Sequence, residues 1–266
     1  MENKKNLRIL IVSNCDGLAR LVTRNFRFKN VEIVGVIRSN PSFKKKISIL
    51  SKAIKKKSLK YALYLQFEML LAGYHQLLSK IFDIDNLTGK NINTLQTSNF
   101  HSIKVVDFAK KSKAELILSI RPALIFPAKT ITELPPIVNL HCSLLPSFGG
   151  IGSVLQALSA GKDKLGISFH LVESEKIDDG IVVHQSCINI NKKKSVYWHT
   201  YKLYQQAGKI LQRNAIDICN NALNKKLSNL EKVEKSYFSW PSENCFLNLH
   251  NNGFSLLTLK DLKFKI

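Results

Sequence analysis

Residues 7–17 read LRILIVSNCDG. The first seven form a run of branched aliphatic residues bounded by polar ones. That is the pattern of a strand buried on both faces, as in a parallel sheet. Asn14 or Asp16 can then cap a helix over about 17–28. Residues 31–37, VEIVGVI, read as a second strand. A parallel neighbour requires a crossover, so strand, helix and strand in this order open an α/β sheet. The alternation returns downstream. Strands are expected at 91–95, 114–120 and 136–141, with helices at 102–112, just after 127, and at 151–160. Gly161 is a plausible stop for the last of these. Residues 165–172 and 180–189 read as a pair of strands, and 195–223 as one long helix. The expected architecture is a Rossmann-like, mostly parallel open sheet with a helical insertion at about 42–82 and a short C-terminal extension. The expected division is a catalytic domain over 1–190, with residues 191–266 packing on it.

The chain has 266 residues, 45% of them apolar, which suits a packed globule. Its formal net charge is +21, and only seven of the 40 basic residues are arginine. Such an excess of lysine fits a solvated surface, and also an acidic partner: a phosphorylated substrate, a nucleic acid or an anionic membrane. Between residues 42 and 60 there are eight lysines and no acid, with Phe43, Ile47, Leu50 and Ile54 at helical spacing. Residues 61–82 are strongly apolar, so two helices are expected here. Gln66, Glu68, His75 and Gln76 interrupt that run and argue against a membrane span. A helical hairpin packed on the body or on a second subunit is one reading, and contact with an anionic membrane is another. Five cysteines without CxxC spacing indicate neither a disulfide frame nor a zinc site. The N-terminus lacks the apolar core of a signal peptide, so a cytoplasmic protein, with membrane association left open, is expected.

Chemistry concentrates in residues 139–146, NLHCSLLP. Asn139 and His141 stand two apart on an expected strand and so share a face. Asp178 follows in EKIDDG, at a bend between two strands that could return it to the pair. An amide, an imidazole and a carboxylate in one cleft suit transfer of an acyl group to an amine. The amide N–H stabilises the oxygen that gains charge. The imidazole, oriented by the carboxylate, assists it and handles protons. Cys142 lies next to His141, but neighbours on a strand face opposite ways, which disfavours a Cys–His nucleophile.

At these residues the chain resembles the folate-dependent formyltransferases. Their Asn-x-His-x-Ser-Leu-Leu-Pro pattern stands as Asn139-Leu140-His141-Cys142-Ser143-Leu144-Leu145-Pro146, and their Leu-Asp-x-Gly as Ile177-Asp178-Asp179-Gly180. The resemblance covers about 7–189. It implies that Asn139, His141 and Asp178 are catalytic and that the formyl donor is 10-formyltetrahydrofolate, with no metal required. It places the pterin slot at Arg121, Ala123, Leu124, Ile125 and Phe126, and at Glu175, Ile177, Asp179 and Gly180. Leu124, Ile125 and Phe126 would cover a flat ring while backbone groups read its edge. Ser143, Ser168 and His170 are expected on the acceptor side. Many relatives carry an aromatic-Arg-Gly sequence after Leu-Leu-Pro; here Ser147–Gly152 holds no arginine. The Ser13–Gly17 loop lacks the glycine-rich phosphate cradle of the purine-pathway members, which counts against a glycinamide ribonucleotide acceptor.

Methionyl-tRNA formyltransferases are similar in their first domain and then continue into a β-barrel. After Asn189 this chain shows only a long helix and a tail, including SYFSWPSE, as in sugar N-formyltransferases. The implied acceptor is the amine of a nucleotide-linked amino sugar, used for surface polysaccharide, with no nucleic-acid partner expected. A homodimer is compatible. The alternatives are a methionyl-tRNA formyltransferase-like enzyme, and a catalytically silent sugar-nucleotide or membrane-surface binding protein on the same fold.

Overall fold

In a computed structural model of the chain, the described residues are 6–23, 30–40, 48, 51, 58–78, 92–227 and 235–264. The chain opens with β1 (Leu7–Ser13), α1 (Gly17–Thr23) and β2 (Val31–Ser39), followed by α2 (Leu59–Leu78), β3 (Thr94–Thr97) and α3 (Ile103–Lys111). Then come β4 (Leu116–Ile120), α4 (Ala128–Glu133), β5 (Ile137–His141), the two-residue β6 (Gly149–Gly150) and α5 (Ser153–Ser159). The remainder is β7 (Lys164–Leu171), β8 (Val182–Asn189), α6 (Val196–Leu223), β9 (Tyr237–Phe238), α7 (Glu243–Asn251) and a 3-10 turn at Leu259–Lys263.

Seven strands form one sheet in the order β3-β2-β1-β4-β5-β7-β8. β1 to β5 are parallel, whereas β7 pairs antiparallel with both β5 and β8. The expected mostly parallel open sheet is therefore present. β1 lies inside it, between β2 and β4, with Ile9, Leu10, Ile11 and Val12 buried. Fully burying side chains of this kind is worth about 1.5–3 kcal/mol each. The order reverses between β1 and β4, and crevices beyond the carboxyl ends of strands at such a point are where open sheets bind ligands.

Local signals explain most boundaries. Asp16 caps α1, its Oδ1 accepting from the Ala19 amide at 2.8 Å. Ser102 caps α3 and Ser195 caps α6. Gly161, at φ +67°, follows α5 as the expected stop. α6 lies close to α1, and a Cβ on Gly208 would come within 2.7 Å of the Leu21 carbonyl oxygen, so only glycine permits this approach. The helix expected before residue 58 and the end of the apolar run at 79–82 lie outside the described residues, as do most of the lysines of 42–60. Among the described residues no helix is long and apolar enough to cross a membrane.

Two features had no sequence signal. Gly149 and Gly150 form a strand with Tyr237 and Phe238 from the tail. The pairing is closed by hydrogen bonds from Gly149 to Ser236 and from Ile151 to Phe238. α7 packs on α5, where the Cys245 thiol meets Gln156 and Ser159.

Candidate active site

β5 alternates as an edge of the crevice requires: Val138 and Leu140 are buried, whereas Asn139 and His141 are half-buried on the opposite face. The antiparallel register with β7 sets Asn139 opposite His170 and His141 opposite Ser168. Asn139 Nδ2 lies 3.1 Å from His170 Nε2. His170 Nδ1 lies 3.0 Å from the Leu171 carbonyl oxygen. That oxygen can only accept, so Nδ1 carries a hydrogen, while Nε2 stands between the Asn139 amide and, at 3.4 Å, the Asp178 carboxylate. A bulge between Phe169 and His170 on the β8 side aims this ring. Asn139 Oδ1 is buried without a hydrogen bond.

Asp178 completes the cluster. Its Oδ2 is 3.5 Å from His141 Nδ1, and its Oδ1 is 3.4 Å from His170 Nε2. The Gly150 N–H donates to Oδ2 at 2.8 Å. In the stretch after Leu-Leu-Pro, the Gly150 amide is thus presented to the protein's own carboxylate. Asp178 holds φ +56°, a left-handed conformation that a non-glycine residue keeps only under constraint from its surroundings. Burial pushes its carboxyl pKa up, but His141, His170 and the Gly150 amide together outweigh it and hold the pKa below the usual carboxylate value.

His141 Nε2 lies 3.1 Å from the Phe148 carbonyl oxygen, so in the neutral ring Nε2 bears the hydrogen and Nδ1 faces Asp178 as a lone pair. Burial lowers the imidazole pKa, opposed by Asp178 and reinforced by His170. The site therefore holds a neutral imidazole beside an ionised carboxylate, ready to gain a proton on the nitrogen that faces it. Cys142 is buried, and burial pushes its thiol up to about 12, which removes it as a nucleophile.

A cavity of about 310 Å³ opens from this cluster between the loop after β4 and the bend after β7. It meets Asn139, His141, His170 and Asp178 at one end. Of the expected slot residues, Arg121, Ala123, Leu124, Ile125, Phe126, Glu175 and Ile177 line it. Glu175 Oε1 accepts the Ala128 amide at 2.8 Å and ties the two loops together. The apolar wall and the orphaned Asn139 oxygen suit a flat heteroaromatic ligand that carries a polar group to the cluster.

Several other expected residues have partners within the protein. Asp179 and Gly180 do not line the cavity: Asp179 pairs with Lys235, and Gly180 packs on the Leu171 carbonyl, where a Cβ would collide. Ser143 and Ser168 are buried framework. Ser143 donates to the Phe148 carbonyl at 2.6 Å, and Ser168 donates to the Ser143 carbonyl at 2.7 Å while receiving Gln185 and the Leu145 amide. The Ala123 amide, expected to be free for a ligand edge, is spent on Ser39 Oγ at 2.9 Å. His170, expected at the acceptor side, sits inside the central cluster.

Arg121 joins this cavity to a buried network. Its Nε meets Asp16 at 2.8 Å, its Nη2 meets Glu68 at 2.9 Å, and its guanidinium lies 5.1 Å from the Tyr204 ring centre. Sequence reading overlooked Glu68 and Tyr204. The only available signal for Glu68 was a single acid on an apolar helix, seven residues after Tyr61 and four after Tyr64. Tyr204 lies in the first third of α6 with nothing local to distinguish it. Among the described residues no group of three or more His, Cys, Asp or Glu side chains could hold a metal ion.

The chain is similar to known proteins in sequence and in fold. The chain is 34% identical over 97 residues to the methionyl-tRNA formyltransferase of Fusobacterium nucleatum, covering 36% of this chain and 31% of that one. It is 45% identical over 56 residues to the phosphoribosylglycinamide formyltransferase of Bacillus subtilis, covering 21% and 28%. The matches thus span less than a third of these relatives' own length. A sugar N-formyltransferase from a Shewanella species shares the fold at a TM-score of 0.55 and 17% identity, over 92% of this chain and 87% of that one. The formyl transferase family model matches residues 7–215, the span that carries the whole sheet and the cluster at its crevice, and the chain belongs to that family.

Proposed function

We propose that the protein transfers a formyl group from 10-formyltetrahydrofolate to a primary amine, the amino group of a nucleotide-linked amino sugar. The observation that carries this reading is the contact of Asn139, His141, His170 and Asp178 at one end of the loop-lined cavity. The donor supplies an activated formyl carbon. In the transfer, the amine nitrogen bonds to that carbon and the bond to the donor nitrogen breaks. One proton leaves the amine and one arrives on the donor nitrogen. Asn139 Nδ2 carries two hydrogens; His170 takes one, and the other is available to the formyl oxygen as it gains negative charge. His141, neutral in the resting site, accepts a proton on Nδ1, and the resulting imidazolium faces Asp178.

The amino-sugar acceptor is favoured by the arrangement after β8, a long helix and a tail that returns to β6, and by the likeness in fold to sugar N-formyltransferases. Mixing the protein with 10-formyltetrahydrofolate and a panel of free and nucleotide-linked amino sugars, followed by mass spectrometry, tests it. Gain of a formyl group on one acceptor supports the reading; no gain on any acceptor, with Asn139→Ala silent in every assay, removes it. The methionyl-tRNA reading is favoured by the net charge of +21 and by several relatives of that name. It requires salt-sensitive tRNA binding, and indifference to tRNA at low salt eliminates it.

α2 exposes Leu63, Phe67, Leu70 and Tyr74, spaced i, i+4, i+7 and i+11, as an apolar stripe. This stripe supports a peripheral role for the insertion, on a second copy of the chain or on an anionic membrane. Sedimentation with anionic vesicles and the mass in solution separate the two.

A further inference from the structure

A second cavity, of about 200 Å³, lies on the other side of His141 between α2, α5 and α6. It shares His141, Arg121 and Tyr204 with the first cavity, so the two compartments meet at the proposed base. Its outer wall comes from the inserted helix: Tyr61, Tyr64 and Glu68 are buried on one face of α2 and line the space. Glu68 is only 6% exposed, and Tyr64 4%.

The polar groups of this cavity have a definite character. Arg121 is the one basic residue among its lining Lys and Arg positions, and its guanidinium is shared between Glu68 and Asp16. Two carboxylates against one guanidinium leave no cationic surplus for a phosphate, which a buried site accepts only with positive charge or free N–H groups. Burial raises the Tyr64 phenol well above its usual value, so it stays protonated. Its Oη is buried within reach of the Glu68 carboxylate and the Thr200 hydroxyl, but makes no hydrogen bond of good geometry among the described residues. An orphaned phenol in a cavity that touches the reacting centre needs a polar partner, because leaving it unpaired costs about 1–3 kcal/mol.

We infer that this second cavity holds the ring of the acceptor, an uncharged, hydroxylated ring bearing the amine, and that Glu68 and Tyr64 of the inserted helix select it through its hydroxyl groups. Glu68 accepts from a ring hydroxyl and Tyr64 donates to one, while the amine projects to His141. Any phosphate of the carrier stays outside, where the lysine-rich surface can meet it. The inference rests on the formyl-transfer reading given above and adds the cavity that takes the acceptor ring and the residues that choose it.

The test uses the full chain and two conservative variants, Glu68→Gln and Tyr64→Phe, each checked for an unchanged melting temperature. Trp240 lies 5.8 Å from the Tyr61 ring in an edge contact, so its fluorescence reports occupancy of the cavity without any turnover. The probes are glucosamine, 4-amino-4-deoxyglucose and their uridine diphosphate esters. At least one amino sugar is expected to change the emission, and both variants are expected to weaken that binding at least tenfold. In turnover at saturating donor, the acceptor KM should rise by a similar factor, with the donor KM within twofold of the parent. If the variants bind and turn over the acceptor as the parent does, or if no amino sugar perturbs Trp240, the inference is overturned. The two readings fail differently. Binding that depends on Glu68 without formyl transfer sinks the enzyme and leaves this cavity as the sugar site. Formyl transfer that depends on Asn139 and ignores Glu68 and Tyr64 does the reverse. If one variant unfolds, the other decides.

Discussion

The amide N–H of Gly150 donates to the carboxylate of Asp178 at 2.8 Å. Gly150 is held in turn by Phe238 of the tail, through the two-residue pairing of β6 with β9. The position of the carboxylate therefore depends on a segment almost a hundred residues away in sequence from the strand that carries His141. Phe148, whose carbonyl receives His141 Nε2, stacks on Phe238 with ring centres 5.3 Å apart. The same tail strand thus braces both members of the His–Asp pair.

Gly150→Ala should expose this dependence. Gly150 sits at φ +98°, and a Cβ there would collide with the Phe238 carbonyl oxygen. A side chain forced into this conformation costs about 1–3 kcal/mol. The expected result is a lower melting temperature together with a loss of formyl transfer, as the Asp178 carboxylate loses its N–H donor. A variant that melts and turns over like the parent would show that the tail does not position Asp178.

Asn139→Ala removes the amide that faces the developing charge. Loss of one such donor typically lowers kcat by about 10²–10³. The fold should survive, since the Asn139 side chain is only half-buried and one of its polar atoms is already unpaired. Circular dichroism and single-turnover kinetics check both halves of the statement. Retention of kcat within threefold would assign the oxygen to another donor.

The pH dependence follows from burial of the imidazole. The His141 pKa lies below the usual 6.5, so the neutral ring persists into mildly acidic solution. The acid limb of kcat/KM should have its midpoint below pH 6.5 and flatten above it. Asp178 raises the His141 pKa against the effect of burial. Asp178→Asn should therefore move the residual limb to still lower pH, besides lowering its plateau. A limb that moves upward contradicts the assignment.

Stability should fall on acidification over the same region. His141, His184 and His199 all have their pKa lowered, chiefly by burial. Below 6.5 the unfolded chain binds protons that the folded chain refuses. Stability is then lost as pH falls from 6.5 toward the folded values, by about 1.4 kcal/mol per pH unit for each proton of difference. Urea melts at pH 7.5 and 5.5 measure it; equal midpoints would refute it.

Cysteine chemistry gives an independent check. Cys187 is exposed, whereas Cys15, Cys142, Cys219 and Cys245 are buried. Burial raises all four thiols, Cys142 and Cys219 to about 12. Brief iodoacetamide treatment of the native protein should label Cys187 alone and leave transfer intact. Inactivation that tracks modification of Cys142 would reinstate it at the site.

The legible parts of this molecule are those set by local rules. The aliphatic run of β1, the capping side chains and the i, i+2 placement of Asn139 and His141 depend on residues within a few positions of one another. The bend that returns Asp178 was readable because β7 and β8 flank it closely. Other parts depend on pairings that no local pattern records. Ser143 and Ser168 were expected as acceptor contacts, yet the Ser143 hydroxyl is spent on the Phe148 carbonyl and the Ser168 hydroxyl on the Ser143 carbonyl. Glu68 and Tyr204 come from an insertion and from a long helix. They become neighbours only when α2 and α6 close around Arg121.

The alignment of β5 with β7 has a consequence for how the site comes into being. The two strands run in opposite senses, so Asn139 meets His170 in only one phase of the ladder. A slip of a single residue would turn the imidazole to the far face of the sheet, leaving the carboxylate one ring short. Until those two strands pair in phase, the nascent chain has every functional side chain and no catalyst.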